Sequence, residues 1–441
     1  MLDLDLQPHH DGSALYVANQ RPELMEKVKI RIRTHQSLGK VTRVLARQSD
    51  SGEAFLSAPF KKLIHRHGWD WHEGVITMWN PEVSYRFFIQ TEAGDSYWFN
   101  SSGLSDNDQP DRDDFKINIY NSVPKWATGA VFYQVFPDRF AKSEQADARD
   151  LPEWADKRNW SDKVKGHGAG VAEQFFGGDL KGIEEHLDHL KNIGATVLYM
   201  TPFFPAFSNH RYDAASFDEV DPLLGGNKAL SSLVKAAHDI GLKVMGDLTA
   251  NHSGDKHQWF VAAHKQPAAM ESGFYYFTDR NTKYESWWGV PSLPKFNWNS
   301  SELKDRFIRG KDSVVAKWLK APYSLDGWRI DVANMTGKIR AEDHSSEVAD
   351  SIRTTMNSVN PDTFLIGEFT SDAAKFIQGN NYQAAMTYSN FTRPVWRWLW
   401  NEEVKTEENQ IGPGRRGITA EQFRELHTSF AGTFPWHVRL H

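Results

Sequence analysis

The sequence predicts an α/β fold in which repeated strand–helix units follow an N-terminal β-sandwich. Two observations carry this expectation. Up to residue 123, apolar residues recur with period two between turn signals, and no long helical stripe is evident. After Lys125, short apolar runs alternate with stripes spaced three or four residues apart, the pattern of a parallel sheet with helices outside it. A third feature points to chemistry: three consecutive predicted strands each end in an acid.

In the first region, Lys27–Arg33, Val83–Ile89 and Ser96–Phe99 read as strands of a sandwich over residues 1–123, with Asn121–Pro124 as the linker. In the second, over 124–441, the strands are Val131–Phe136, Thr196–Met200, Lys243–Leu248, Trp328–Asp331, Phe364–Gly367 and Ala384–Thr387. Helices are expected over Leu180–Asn192 and Asn227–Ile240, closed by Gly194 and Gly241 in the left-handed cap position. Residues 253–300, rich in Trp and Tyr, are too long for an ordinary loop and predict a small inserted subdomain. The pattern alone allows a barrel or an open doubly wound sheet.

Composition narrows the function. The 441 residues include no cysteine, which excludes disulfides and thiolate metal sites. No apolar run approaches the ~18 residues of a membrane span, and Met1–Leu6 lacks the basic and apolar regions of a secretory signal. A cytoplasmic protein without a membrane partner is therefore expected. With 51 basic against 57 acidic residues, the net charge of −6 argues against a nucleic-acid partner. The 17 Trp, 13 Tyr and 27 Phe provide for a large core or for platforms under flat ligand faces, and the negative charge favours sugars over bases.

The acids at the strand ends are Asp247, Asp331 and Glu368. Buried strands rarely carry acids without a purpose, and the carboxyl ends of barrel strands form the active-site face. One such acid could simply cap a turn; three on successive strands favour catalysis. Arg329 and Asp331 lie two apart, so both side chains point the same way, and the guanidinium is expected to keep Asp331 ionised as a nucleophile. Glu368, on the next strand about 4.8 Å away, would be the general acid/base at about the 5–5.5 Å spacing of a retaining glycosidase. Asn251 and His252, leaving the strand of Asp247, are expected either to hydrogen-bond a hydroxylated substrate or to shape the loop, and His210–Asp213 lies on the loop after the second strand, where Tyr212 is placed to stack on a sugar ring. Trp328 completes the expected substrate-binding set.

These residues resemble the α-amylase superfamily. Asp247…Asn251-His252, the run Gly327–Asn334 and Gly367-Glu368 are similar to its first three sequence regions. Tyr133–Phe140, Phe176–Leu180, His210–Asp213 and Leu293–Asn297 resemble the neopullulanase, cyclomaltodextrinase and maltodextrin glucosidase branch. Met335 and Phe369, where the first two enzymes usually carry Glu and often Trp, lean toward maltodextrin glucosidase. The resemblance implies a TIM-type (β/α)8 barrel and a starch-binding-like N-terminal module. It implies retaining hydrolysis of α-glucan oligosaccharides, with Asp331 as nucleophile, Glu368 as acid/base, Arg329 orienting the nucleophile, Tyr212 beneath the sugar and His252 touching it. It also implies a homodimer through the N-terminal domain. Ala141–Asp150 lacks the Asn/Asp-rich pattern that binds calcium in some relatives, so no calcium, other metal or cofactor is expected.

Nothing after Glu368 matches the family's fourth region, a His-Asp pair on the seventh strand, and the only later Asp is Asp372. The chain is thus expected to be C-terminally truncated, with about six barrel strands. Rival readings are a transglycosylase or isomerase using the same intermediate, a non-catalytic carbohydrate binder and, more distantly, a metal-dependent hydrolase. Two further motifs are discounted. Gly412–Gly417 fits G-x-G-x-x-G, but Pro413 lacks the N–H of a phosphate cradle, so a loop is expected. His65, His67, Asp70 and His72 could chelate a metal, but a solvated turn is the simpler expectation.

Overall fold

The computed structural model describes residues 6–50, 53–119, 123–377, 381–399 and 417–431. The glycine-rich stretch 412–416 lies outside them. The chain divides into two compact units, one of Met1–Ser122 with Phe369–His441 and the other of Val123–Glu368.

Within residues 1–122, two antiparallel sheets face one core. Lys27–His35, Trp69–Thr77 and Lys61–Arg66 form the smaller sheet. The larger is built from Glu53–Leu56, Val41–Asp50, Glu82–Thr91, Ser96–Asn100 and Gly103–Ser105, with Phe115–Asn118 also pairing with Glu82–Thr91. Period-two alternation turns Val28, Ile30 and Ile32 inward from one sheet and Val83, Tyr85, Phe87 and Ile89 from the other, so both sheets bury their apolar faces together. The expected strands all form within a residue or two of their predicted ends. His65 and Asp70 lie 2.6 Å apart beside the turn at His67-Gly68, where both residues have positive φ. His72, two residues on from Asp70 along the same strand face, is buried against Thr34.

In the second unit, five parallel strands follow one another in chain order: β1 (Phe132–Val135), β2 (Val197–Met200), β3 (Lys243–Leu248), β4 (Gly327–Ile330) and β5 (Phe364–Phe369). With the intervening helices this is the arrangement of a (β/α) half-barrel. The sixth expected strand forms as β6 (Ala384–Thr387), in the segment grouped with the other unit. The first predicted helix is broken at His186 into Leu180–Glu185 and Leu187–Asn192, because His186 leaves the helical conformation at ψ 19°. The second runs over Gly226–Asp239. Gly194 and Gly241 take the left-handed cap conformation, with φ of 83° and 79°.

Close strand approach explains two glycines. A Cβ on Gly327 would lie 2.0 Å from the Phe364 carbonyl oxygen, and one on Gly246 would lie 2.5 Å from the Trp328 ring. Among the described residues no helix is long and apolar enough to cross a membrane.

Candidate active site

Strand register brings the acids together. Asp247 on β3 is level with Arg329 on β4, and Ile330 is level with Gly367 on β5. One residue further on, Asp331 comes level with Glu368. Alternation then directs Asp247, Arg329, Asp331 and Glu368 to one face of the sheet. Trp328 alternates to the other face. It is fully buried against Phe203, and its Nε1 donates to the Val315 carbonyl oxygen at 3.2 Å. The expectation that Trp328 meets substrate is therefore corrected: it is a core residue, because a strand cannot turn adjacent side chains to the same side.

Arg329 is the hub. Its Nη1 lies 3.0 Å from both oxygens of Asp247 and 2.7 Å from Oδ1 of Asp331, and its Nη2 lies 2.8 Å from Oε2 of Glu368. Asp247, completely buried, also accepts hydrogen bonds on Oδ2 from the Tyr199 hydroxyl and, at 3.0 Å, from the Tyr212 hydroxyl. One guanidinium thus serves three carboxylates.

This sharing alters the electrostatics expected from Arg329 and Asp331 alone. Burial pushes the Asp331 carboxyl up to about 8; Arg329 pulls it down, but the charges of Asp247 and Glu368 raise it again. Burial likewise raises Asp247, against the pull of Arg329 and the two tyrosines. Burial and its acidic neighbours thus let Asp331 hold a proton that a simple pair with Arg329 would release.

Tyr212 flanks this cluster. The Arg329 guanidinium carbon is 5.9 Å from its ring centroid, and the His210 ring stacks on it at 5.8 Å and 30°. His210 is fixed in turn by Ser208 Oγ, 3.1 Å from its Nδ1. On the loop after β3, Asn251 Nδ2 and His252 Nδ1 are 3.0 Å apart. Burial, reinforced by the Lys295 ammonium, pushes His252 down to about 3, so its ring is neutral. Asn251 Oδ1 accepts from Lys295 Nζ, which also donates, at 3.0 Å, to the Met335 carbonyl oxygen.

Two residues that shape the site were not among the expected site residues, although Lys295 lies within the motif Leu293–Asn297. Tyr199 is an inward-facing strand residue whose only cue was alternation with Asp247 across the β2–β3 register. Lys295 lies far from the acids in sequence, and its role is set by where the 253–300 segment folds back through the His252–Lys295 bridge. Among the described residues no group of three or more His, Cys, Asp or Glu side chains could hold a metal ion.

The chain is similar to known proteins in sequence and fold. The family description "Alpha amylase, catalytic domain" matches residues 134–416. A cyclomaltodextrinase of Geobacillus thermopakistaniensis is 34% identical over 280 residues, covering 62% of this chain and 44% of the relative. Neopullulanase 2 of Thermoactinomyces vulgaris is 28% identical over 412 residues, covering 87% of this chain and 64% of the relative. The chain therefore spans less than two thirds of the length of either. A solved cyclomaltodextrinase structure superposes with a TM-score of 0.66 at 25% identity, covering 99% of this chain and 70% of that one. With the match extending over most of the chain and including Asp247, Arg329, Asp331 and Glu368, this protein belongs to the alpha-amylase family.

Proposed function

We propose that the chain is a retaining glycoside hydrolase acting on the α-glucosidic bonds of maltodextrins or related short α-glucans. The observation that carries this reading is the convergence of Asp331 and Glu368 on Arg329 at the carboxyl ends of adjacent strands. In the first step an Asp331 carboxylate oxygen bonds to the anomeric carbon while Glu368 gives its proton to the departing glycosidic oxygen. In the second, water replaces Asp331 at that carbon and returns a proton to Glu368. Arg329 orients Asp331, Tyr212 stacks under the sugar, and neutral His252 with His210 contacts its hydroxyls. Asp247 anchors Arg329 and Tyr212. Lys295 secures Asn251, which acts as a support for the His252 loop.

Residues 1–123 serve on this reading as a starch-binding-like module and the means of homodimerisation, 124–441 as the catalytic barrel and 253–300 as its inserted subdomain. Met335 and Phe369 favour a maltodextrin-glucosidase-like preference. A cytoplasmic site of action is supported by the similarity to a protein of Bacillus subtilis named "Intracellular maltogenic amylase", 27% identical over 332 residues.

The test is glucose release from maltotriose by the purified chain, with Asp331→Asn as the blank. Release that disappears in the variant is expected. Maltotriose binding without turnover by the unmodified chain would replace this reading with that of a carbohydrate-binding protein.

A further inference from the structure

The residue after Asp331 is a valine with φ of +41°. β-Branched residues avoid this region, so the surrounding structure must impose it. The consequence is a turn that closes at once. The Val332 carbonyl oxygen accepts the N–H of Met335 at 2.8 Å and of Thr336 at 3.1 Å, and the Thr336 hydroxyl at 3.3 Å. The N–H of Asn334 reaches the Glu368 carbonyl oxygen at 3.3 Å. Held by this turn, the Val332 amide leaves the strand ladder and donates to Oε2 of Glu368 at 2.8 Å. Arg329 Nη2 approaches the same oxygen at 2.8 Å.

We propose that Val332 is a positioning residue for the acid/base: its amide, with Arg329, claims Oε2 of Glu368 and confines the transferable proton to Oε1. An oxygen that faces two N–H donors presents its lone pairs to them, and a proton placed there would confront both. Oε1 is then the atom that gives its proton to the departing glycosidic oxygen as Asp331 bonds to the anomeric carbon. It is also the atom that takes one back from water as the Asp331 ester breaks. The strained turn thus fixes both the carboxyl orientation and the oxygen that carries the proton. The proposal rests on the acid/base role assigned to Glu368 above.

The test replaces the Val332 N–H with an ester oxygen, by incorporating the α-hydroxy analogue of valine in the full chain. This keeps the side chain and removes one donor. The readout is kcat/KM for two substrates, maltotriose, whose leaving group needs a proton, and α-maltosyl fluoride, whose leaving group does not. The expected result is a loss of about tenfold or more on maltotriose, as befits a partly misdirected general acid, with the fluoride within about threefold of the unmodified chain. Equal losses on both substrates would overturn the proposal, since the amide would then be maintaining the cleft rather than directing a proton. So would no change on either. Failure of the unmodified chain to turn over both substrates would overturn the hydrolase reading itself, and this inference with it.

Discussion

Replacing Asp247 with Asn tests how charge is distributed around Arg329. In the native cluster the Asp331 carboxyl is pushed up to about 8 by burial and by its acidic neighbours. Attack requires the ionised form, so kcat/KM should climb with pH along a limb near that value. Asp247 and Asp331 both contact Arg329 Nη1, at 3.0 and 2.7 Å, which keeps their charges close together. At about 6 Å and an effective dielectric of about 20, one such charge contributes about 3 kcal/mol, or about two pKa units. Asn keeps the shape of the side chain but removes the charge, and leaves Arg329 less divided between acids. The limb should therefore move down by about two units, toward pH 6, whatever happens to the height of the profile. The assay is kcat/KM for an aryl α-maltoside between pH 5 and 9.5, with the native chain alongside. An unmoved limb would mean that Asp247 already holds a proton in the native cluster, and an upward shift would refute the reasoning outright.

Three further outcomes follow from the same structure. Arg329→Met strands three carboxylates in a buried cluster; stability at neutral pH should fall by about 3–5 kcal/mol and partly recover on acidification as the acids protonate, both readable in urea titrations. His257 is pushed down to about 3 by burial while its Nδ1 accepts the Trp259 N–H, so the folded state holds it neutral where the unfolded chain, near 6.5, binds a proton. Stability from this group is thus complete above pH 6.5 and is lost as pH falls toward 3. His257→Asn keeps a cap acceptor and should flatten that loss, by up to about 4 kcal/mol at its lower end, as measured by melting across pH 3–7. Gly327→Ala places a methyl group 2.0 Å from the Phe364 carbonyl oxygen; forcing β4 and β5 apart should cost about 1–3 kcal/mol, and an unchanged denaturation midpoint would contradict the close approach.

Much of the site was legible in the chain because strand periodicity is local. Asp247, Asp331 and Glu368 each end an apolar run, and the two-residue step from Arg329 to Asp331 places both on one face without reference to any other element. The same alternation removes Trp328 from the cleft, since it stands next to Arg329 on one strand. The break at His186 was less legible, since the apolar stripe Leu180, Ile183, Leu187 and Leu190 runs straight through it.

The sequence by itself determined which residues are strands, where the acids sit along them and which side of the sheet each occupies, because these depend on spacings of a few residues. Only the tertiary structure decided how many carboxylates share Arg329, since that depends on the register between β3, β4 and β5. It alone brought Lys295 and Tyr199 to the site and turned the Val332 amide onto Glu368. Ionisation follows the same division. A guanidinium two residues from a carboxylate reads as an ion pair in sequence, but burial and two more acids from neighbouring strands reverse the balance, because desolvation and Coulomb energy depend on distances through space rather than along the chain.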